Sequence, residues 1–286
     1  MLAFGGTKLS IASDAPTPLN SKRRVIIWSH GLATWGSHYS FMCRMLTTMS
    51  DDNDAVVIAI NHTDGSATAS ETLGGEEILY QVVGKGNPKE REIRAEQLKI
   101  RAKDVAKAWE AIKGMNEKGD LEGTFDTSGF VVAGHSFGGG TAVATGIAHE
   151  DCVGVMAFDP WMVPVQDAGF LERAKDCKPV LSITCDAGAL SSPPYWRSNC
   201  SLLQSLPEDS TKVVRFKGSD HIDISDVALM LPNPRLTRPS AEDYFLGHKR
   251  FMRDFMMSIG WIKGKGGGST VLQEGEEAWV QHVPPY

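Results

Sequence analysis

The stretch that decides the fold runs Phe130-Val131-Val132-Ala133-Gly134-His135-Ser136-Phe137-Gly138-Gly139-Gly140, followed by the small residues from Thr141 to Ala148. Its opening apolar run reads as a strand buried on both faces, and the small-residue run reads as a helix. Between them stands Gly134-x-Ser136-x-Gly138. A strand–turn–helix passage of this kind forces strained dihedrals on its central serine, and the flanking glycines leave room for the chain to fold that tightly. The serine oxygen is lifted over the sheet edge and the N–H of Phe137 faces the same space. The helix that follows points its positive end at any charge developing there. A bare G-x-S-x-G is common by chance; set between a strand and a helix, it marks Ser136 as a nucleophile.

Outward from this stretch, similar apolar runs recur at Val25-Ile26-Ile27-Trp28, Ala55-Val56-Val57-Ile58-Ala59-Ile60, Val153-Gly154-Val155-Met156-Ala157-Phe158, Val180-Leu181-Ser182-Ile183-Thr184 and Val213-Val214-Arg215-Phe216. Continuous runs of this length fit strands of a parallel sheet. A long amphipathic helix is predicted from about Pro88 to Lys118, its charges read as a solvated face. Phe245, Met252, Phe255, Met256 and Ile259 predict a terminal helix packed on the sheet. Ser191-Ser192-Pro193-Pro194 and Leu231-Pro232-Asn233-Pro234-Arg235 read as loops. Strands alternating with helices give an α/β fold with a mostly parallel central sheet flanked by helices. One domain is expected over residues 1–263, with Gly264-Lys265-Gly266-Gly267-Gly268-Ser269 opening a flexible linker and tail over 264–286.

Composition narrows the chemistry. The 286 residues are 42% hydrophobic, enough for a large core, and carry a net charge of −6. Without a basic excess, nucleic acid is not an expected partner. The five cysteines lack paired spacing, so neither a disulfide framework nor a zinc or redox pair is expected, and Cys152 and Cys185 read as buried apolar residues. Asp51-Asp52-Asn53-Asp54 lacks the glycine and glutamate of a calcium loop, His30 and His38 lack zinc spacing, and no phosphate-binding G-x-x-x-x-G-K-[ST] occurs. No cofactor is expected. No window approaches the roughly 18 apolar residues of a membrane span. The start does not resemble a signal peptide, and Leu2 stands where myristoylation needs glycine. A cytoplasmic location is the expectation.

A serine hydroxyl needs a base, which in this chain order lies after the last strands. His221 fits, delivered by Gly218-Ser219-Asp220 after the Val213 strand; His149 is too close to the elbow helix, and His248 and His282 are read as lying beyond the sheet. The acid stays open between Asp159 and Asp186, both at carboxyl ends of strands. Asp220 and Asp223 are read as holding the His221 loop. The His-Gly turn after the first strand offers the Leu32 N–H as a second oxyanion donor beside that of Phe137, with His30 orienting the loop.

These residues resemble the platelet-activating factor acetylhydrolases of the plasma and intracellular type II group, members of the α/β-hydrolase superfamily. The resemblance rests on Trp28-Ser29-His30-Gly31-Leu32, Asn61-His62-Thr63-Asp64-Gly65-Ser66-Ala67, the charged helix around Ile93 to Asp104, Phe158-Asp159-Pro160-Trp161-Met162-Val163-Pro164 and Gly218-Ser219-Asp220-His221, in order from about Val25 to Ile259. It implies an α/β-hydrolase fold with Asp159 as the acid. It also implies calcium-independent hydrolysis of short or oxidised sn-2 acyl esters of phospholipids through an acyl-enzyme. The family usually carries a longer stretch before its His-Gly strand than the 29 residues that precede His30, so shortened N-terminal strands are expected. Asn61 and Pro160 also depart from the family pattern. The alternatives are a general esterase on soluble esters or polyesters and an inactive hydrolase-fold binding protein. A phospholipid substrate implies weak, reversible contact with a lipid surface, expected through an exposed Trp35 beside the oxyanion turn. The aromatic and methionine stripe of Phe251, Met252, Phe255 and Met256 is read as core.

Overall fold

The computed structural model describes residues 22–49, 55–72, 74–84, 86–119, 121–186, 193–227, 241–262 and 280–282. In chain order the elements are β1 (Arg23–Ser29), α1 (Ser40–Thr47), β2 (Ala55–Ile60), β3 (Ala69–Glu71), β4 (Glu77–Leu79), α2 (Glu90–Glu117), β5 (Phe125–His135), α3 (Phe137–Ala148), β6 (Cys152–Phe158), α4 (Val163–Asp167), β7 (Val180–Cys185), α5 (Pro193–Leu203), β8 (Thr211–Phe216), α6 (Ala241–Ser258) and β9 (Val280–His282). The main sheet runs in the order β2-β1-β5-β6-β7-β8-β9. Its first six strands pair in parallel, and β9 joins β8 antiparallel. β3 and β4 form a separate antiparallel pair.

The period-2 alternation of strand side chains divides the core into two layers. Ile26 and Trp28 of β1, Val131 and Ala133 of β5, and Met156 and Phe158 of β6 face one layer, with Met42 and Leu46 of α1 and Phe251, Met252 and Met256 of α6. Val25 and Ile27, Phe130 and Val132, and Val155 and Ala157 face the other, with Leu98, Val105 and Trp109 of α2 and Phe137 and Val143 of α3. Burial on both faces is why these strands are legible as continuous apolar runs. The stripe Phe251, Met252, Phe255 and Met256 is buried core.

Four expectations need correction. The stretch 264–286 is not all linker and tail: Val280–His282 is a strand, with His282 opposite Val214, so His282 belongs to the sheet. His248 does not lie beyond it either; buried on α6, it stacks on Phe216 of β8 at 4.3 Å. Pro193 and Pro194 open helix α5 rather than continuing a loop, because the first helical turn tolerates residues without an N–H. The charges of α2 are not all solvated, since Arg94 and Arg101 are buried. The expected loop at 231–235, the linker at 264–269 and the acidic run at 51–54 lie outside the described residues. Among the described residues no helix is long and apolar enough to cross a membrane.

Candidate active site

Parallel pairing sets the carboxyl ends of β1, β5, β6, β7 and β8 along one edge, and each candidate residue lies at or just beyond one of them. Ser136 follows β5 with φ 56° and ψ −118°. A serine holds such a conformation only where its surroundings over-determine it. Here the Ser136 N–H donates to the Phe158 carbonyl at 2.9 Å, while its own carbonyl accepts from Gly140 at 3.1 Å and Trp161 at 2.9 Å. The turn also demands close approach: a Cβ on Gly138 would stand 2.0 Å from the Ser29 carbonyl oxygen. Phe137, the first residue of α3, has no acceptor for its N–H within the helix by construction.

At the end of β6, Asp159 has φ 41°, a left-handed conformation that aspartate tolerates better than most residues. Its Oδ2 lies 2.5 Å from His221 Nδ1. Cys185 at the end of β7 adds its N–H to Oδ1 at 3.1 Å and its thiol to Oδ2 at 2.9 Å. Burial works to raise the Asp159 pKa, but the bonds from His221 and Cys185 prevail and hold it below the usual carboxylate range. Burial works to lower the His221 pKa, and its partner Asp159 prevails there too, raising it above the ordinary histidine value.

The His221 loop is built by the other acids. Asp220 caps a short turn over His221–Ile224, accepting from the His221 N–H at 2.7 Å, and Asp223 Oδ2 accepts from the Asp220 N–H at 2.6 Å. Asp186 pairs with Arg215 and accepts from the Gly218 N–H at 2.9 Å. Asp186 therefore anchors the loop's entry, and the carboxylate that meets the imidazole is that of Asp159. At the loop's exit Asp226 caps α1, accepting from Ser40 at 2.8 Å and Phe41 at 3.0 Å. The His221 ring packs on His135 with centroids 4.5 Å apart, which sets it beside the elbow. Ser136 Oγ and His221 make no direct hydrogen bond; such contacts often tighten only when substrate is bound.

The His30-Gly31-Leu32 turn, the candidate oxyanion turn, is stitched from several sides. Tyr39 Oη accepts from the Gly31 N–H at 3.1 Å and lies 2.9 Å from His135 Nδ1. Ala33, at φ 54°, donates its N–H to the Ser66 carbonyl at 2.8 Å. Among the described residues the Leu32 N–H has no acceptor. His30 is buried, with Nδ1 2.7 Å from the Gly31 carbonyl oxygen and Nε2 accepting from the His62 N–H at 3.2 Å. Burial and then the nearby Arg101 keep its pKa well below the ordinary value. Trp35, expected to be exposed, is half-buried, its ring tilted by 38° against that of His38 with centroids 3.8 Å apart.

Donor atoms of Asp159, Cys185 and His221 all lie within 4.8 Å of one another, the kind of grouping that can hold a metal ion. Here His221 Nδ1 and Cys185 Sγ both bond to Asp159 Oδ2, so hydrogen bonds already engage all three.

The family model described as "Platelet-activating factor acetylhydrolase, isoform II" matches residues 1–237. The chain belongs to that family. Platelet-activating factor acetylhydrolase of Bos taurus is 26% identical over 246 residues, covering 79% of this chain and 53% of its own length. That of Gallus gallus is 27% identical over 252 residues, covering 78% and 57%. The chain thus spans about half the length of these acetylhydrolases. A ferulic acid esterase from Streptomyces cinnamoneus superposes with a TM-score of 0.67 at 15% identity, over 94% of this chain and 76% of that one, which shows a shared α/β-hydrolase fold.

Within this candidate site, sequence reasoning missed Cys185, Tyr39 and the polar face of α2. Arg94, Gln97 and Arg101 recur at i, i+3 and i+7 on one side of the helix together with Leu98 and Val105, and all five are buried. That shared spacing was the signal that could have found them.

Proposed function

We propose that the chain is a serine esterase that removes short or oxidised sn-2 acyl groups from phospholipids without calcium. The observation that carries this reading is the Asp159–His221 pair beside a strained Ser136 at the sheet edge, in a chain of the platelet-activating factor acetylhydrolase family. Ser136 Oγ attacks the ester carbonyl as His221 Nε2 takes its proton, and Asp159 stabilises the imidazolium. The Leu32 and Phe137 N–H groups hold the oxyanion. The tetrahedral intermediate expels the lysophospholipid alcohol, which takes the proton back from His221. Water, activated by the same histidine, then frees the carboxylic acid from Ser136.

Every group in this scheme belongs to the chain, so a chelator is expected to leave turnover unchanged. The test compares phosphatidylcholines with acetyl, oxidised and long unmodified sn-2 chains, each with and without EGTA. Preference for the first two supports the reading. Preference for soluble esters alone replaces it with a general carboxylesterase, and no turnover on any ester leaves an inactive binding protein. Access to lipid is assigned to the rim of the site, where Trp35 stands beside the oxyanion turn.

A further inference from the structure

We propose that Arg101 is a positioning residue for the oxyanion hole, with Asp64 as its counter-charge; the inference rests on the esterase reading above. Arg101 lies in the middle of α2 and is 0% exposed. Its Nη1 donates to the His30 carbonyl at 2.7 Å, and Nη2 lies 3.3 Å from His30 Nδ1. Its Nε and Nη2 donate to Ser66 Oγ at 2.8 and 2.6 Å. The Ser66 carbonyl accepts the Ala33 N–H at 2.8 Å. Arg101 thus grips the turn on both sides of Leu32: His30 directly, and Ala33 through Ser66. The same guanidinium stands 4.4 Å from the centroid of the Phe137 ring, so it touches the residue that supplies the other oxyanion donor.

The ion pair is an odd choice if stability were its only purpose. Arg101 Nε meets Asp64 Oδ2 at 3.1 Å, and both side chains are 0% exposed. Burying two charges costs more solvation than most pairs regain, and apolar side chains of similar volume often replace such a pair without loss. What apolar residues cannot do is hold a carbonyl and a hydroxyl at fixed angles at once, which a planar five-donor fork does. Asp64 completes the unit by accepting the Ser66 N–H at 3.0 Å and the Ser66 hydroxyl. With its charge balanced by Asp64, the contribution of Arg101 is geometric: it fixes the peptide planes on either side of Leu32, including the left-handed Ala33 at φ 54°.

The test uses the full chain as wild type, Ser136→Ala, Arg101→Lys and the paired variant Arg101→Met with Asp64→Leu. Turnover of a soluble nitrophenyl acetate is measured per serine titratable by a fluorophosphonate, alongside thermal unfolding. Wild-type turnover with none in Ser136→Ala upholds the serine-esterase part of the reading, which is the part this inference needs; a wild type without turnover of this ester removes the inference. With that part upheld, Arg101→Lys is expected to lower kcat about 30-fold or more, approaching the loss seen when one oxyanion donor is removed. KM should stay within about threefold, the mark of an interaction made in the transition state. The paired variant should show the same kcat loss while unfolding near the wild-type temperature. The pH profile should keep its limb, because His221 and Asp159 are untouched. A kcat per titrated serine within about threefold of wild type in either variant would overturn the inference. So would a loss that only tracks the folded fraction, since Arg101 would then serve the scaffold.

Discussion

Cys185 binds the carboxylate of Asp159 twice, through its backbone N–H at 3.1 Å and its thiol at 2.9 Å. The thiol shares Asp159 Oδ2 with His221, so it helps fix the oxygen that faces the imidazole. A thiol is a weak donor, and losing one such bond costs about 1 kcal/mol, or roughly fivefold in rate. Cys185→Ala is therefore expected to lower kcat/KM by about that factor, and Cys185→Ser to keep most of the activity. Steady-state assays of the two variants check this; equal losses in both would show that packing, not the bond, matters at Cys185.

Activity should depend on pH through His221. Burial pulls its pKa down, but the bond to Asp159 outweighs burial and leaves the group raised. As a base it must be neutral, so kcat/KM should rise with pH along a limb centred above the ordinary histidine value of about 6.5. Asp159→Asn removes the raising partner, so the limb should move to lower pH while the rate falls about 10⁴-fold, as in other serine triads. A limb that does not move would separate His221 from the titration.

The two candidate acids should differ sharply. Asp186 holds Arg215 and the Gly218 N–H, and does not meet the imidazole. Asp186→Asn loosens the loop that carries His221 and should cost about tenfold in kcat/KM, far less than Asp159→Asn. The ratio of the two losses is the readout. A greater loss at Asp186 would reverse the assignment.

These contrasts mark where the residues were legible. Six parallel strands stand out in the sequence as apolar runs; in β1, β5, β6 and β7 burial on both faces demands them, as from Val25 to Trp28, while β2 and β8 are only partly buried. The elbow stands out because only glycine fits beside Ser29 at Gly138. The choice between Asp159 and Asp186 could not be made from position alone, since both end strands and differ only in which loop folds over them. The three-residue strand Val280–His282 is too short to show a period. Arg101 was read as solvated because charge on a helix usually is; only the carbonyl of His30 and the carboxylate of Asp64, distant in sequence, give it reason to turn inward.

Glycine substitutions test the backbone argument. A methyl at Gly138 collides with the Ser29 carbonyl, so Gly138→Ala should destabilise by about 3 kcal/mol or more. Gly114, exposed on α2 with nothing within 4 Å of its added Cβ, should gain about 0.5–1 kcal/mol as alanine. Denaturant unfolding of both variants checks the pair. A neutral Gly138→Ala would mean that the elbow packs less tightly than described.

Trp35→Ala bears on lipid access. With its ring against His38 rather than fully exposed, Trp35 is expected to contribute modestly, lowering activity on phospholipid vesicles more than on a soluble short-chain ester. Equal losses on both would place Trp35 in the pocket or the fold.

The central claim is that Ser136 is the nucleophile, and covalent labelling tests it most directly. The chain is incubated with a fluorophosphonate and the adduct is located by peptide mass spectrometry. The account predicts one adduct per chain, on the peptide carrying Ser136. It also predicts that Ser136→Ala folds normally, takes no label and loses roughly 10³-fold or more of the hydrolytic rate. Turnover retained in Ser136→Ala, or a label on another residue, would contradict it.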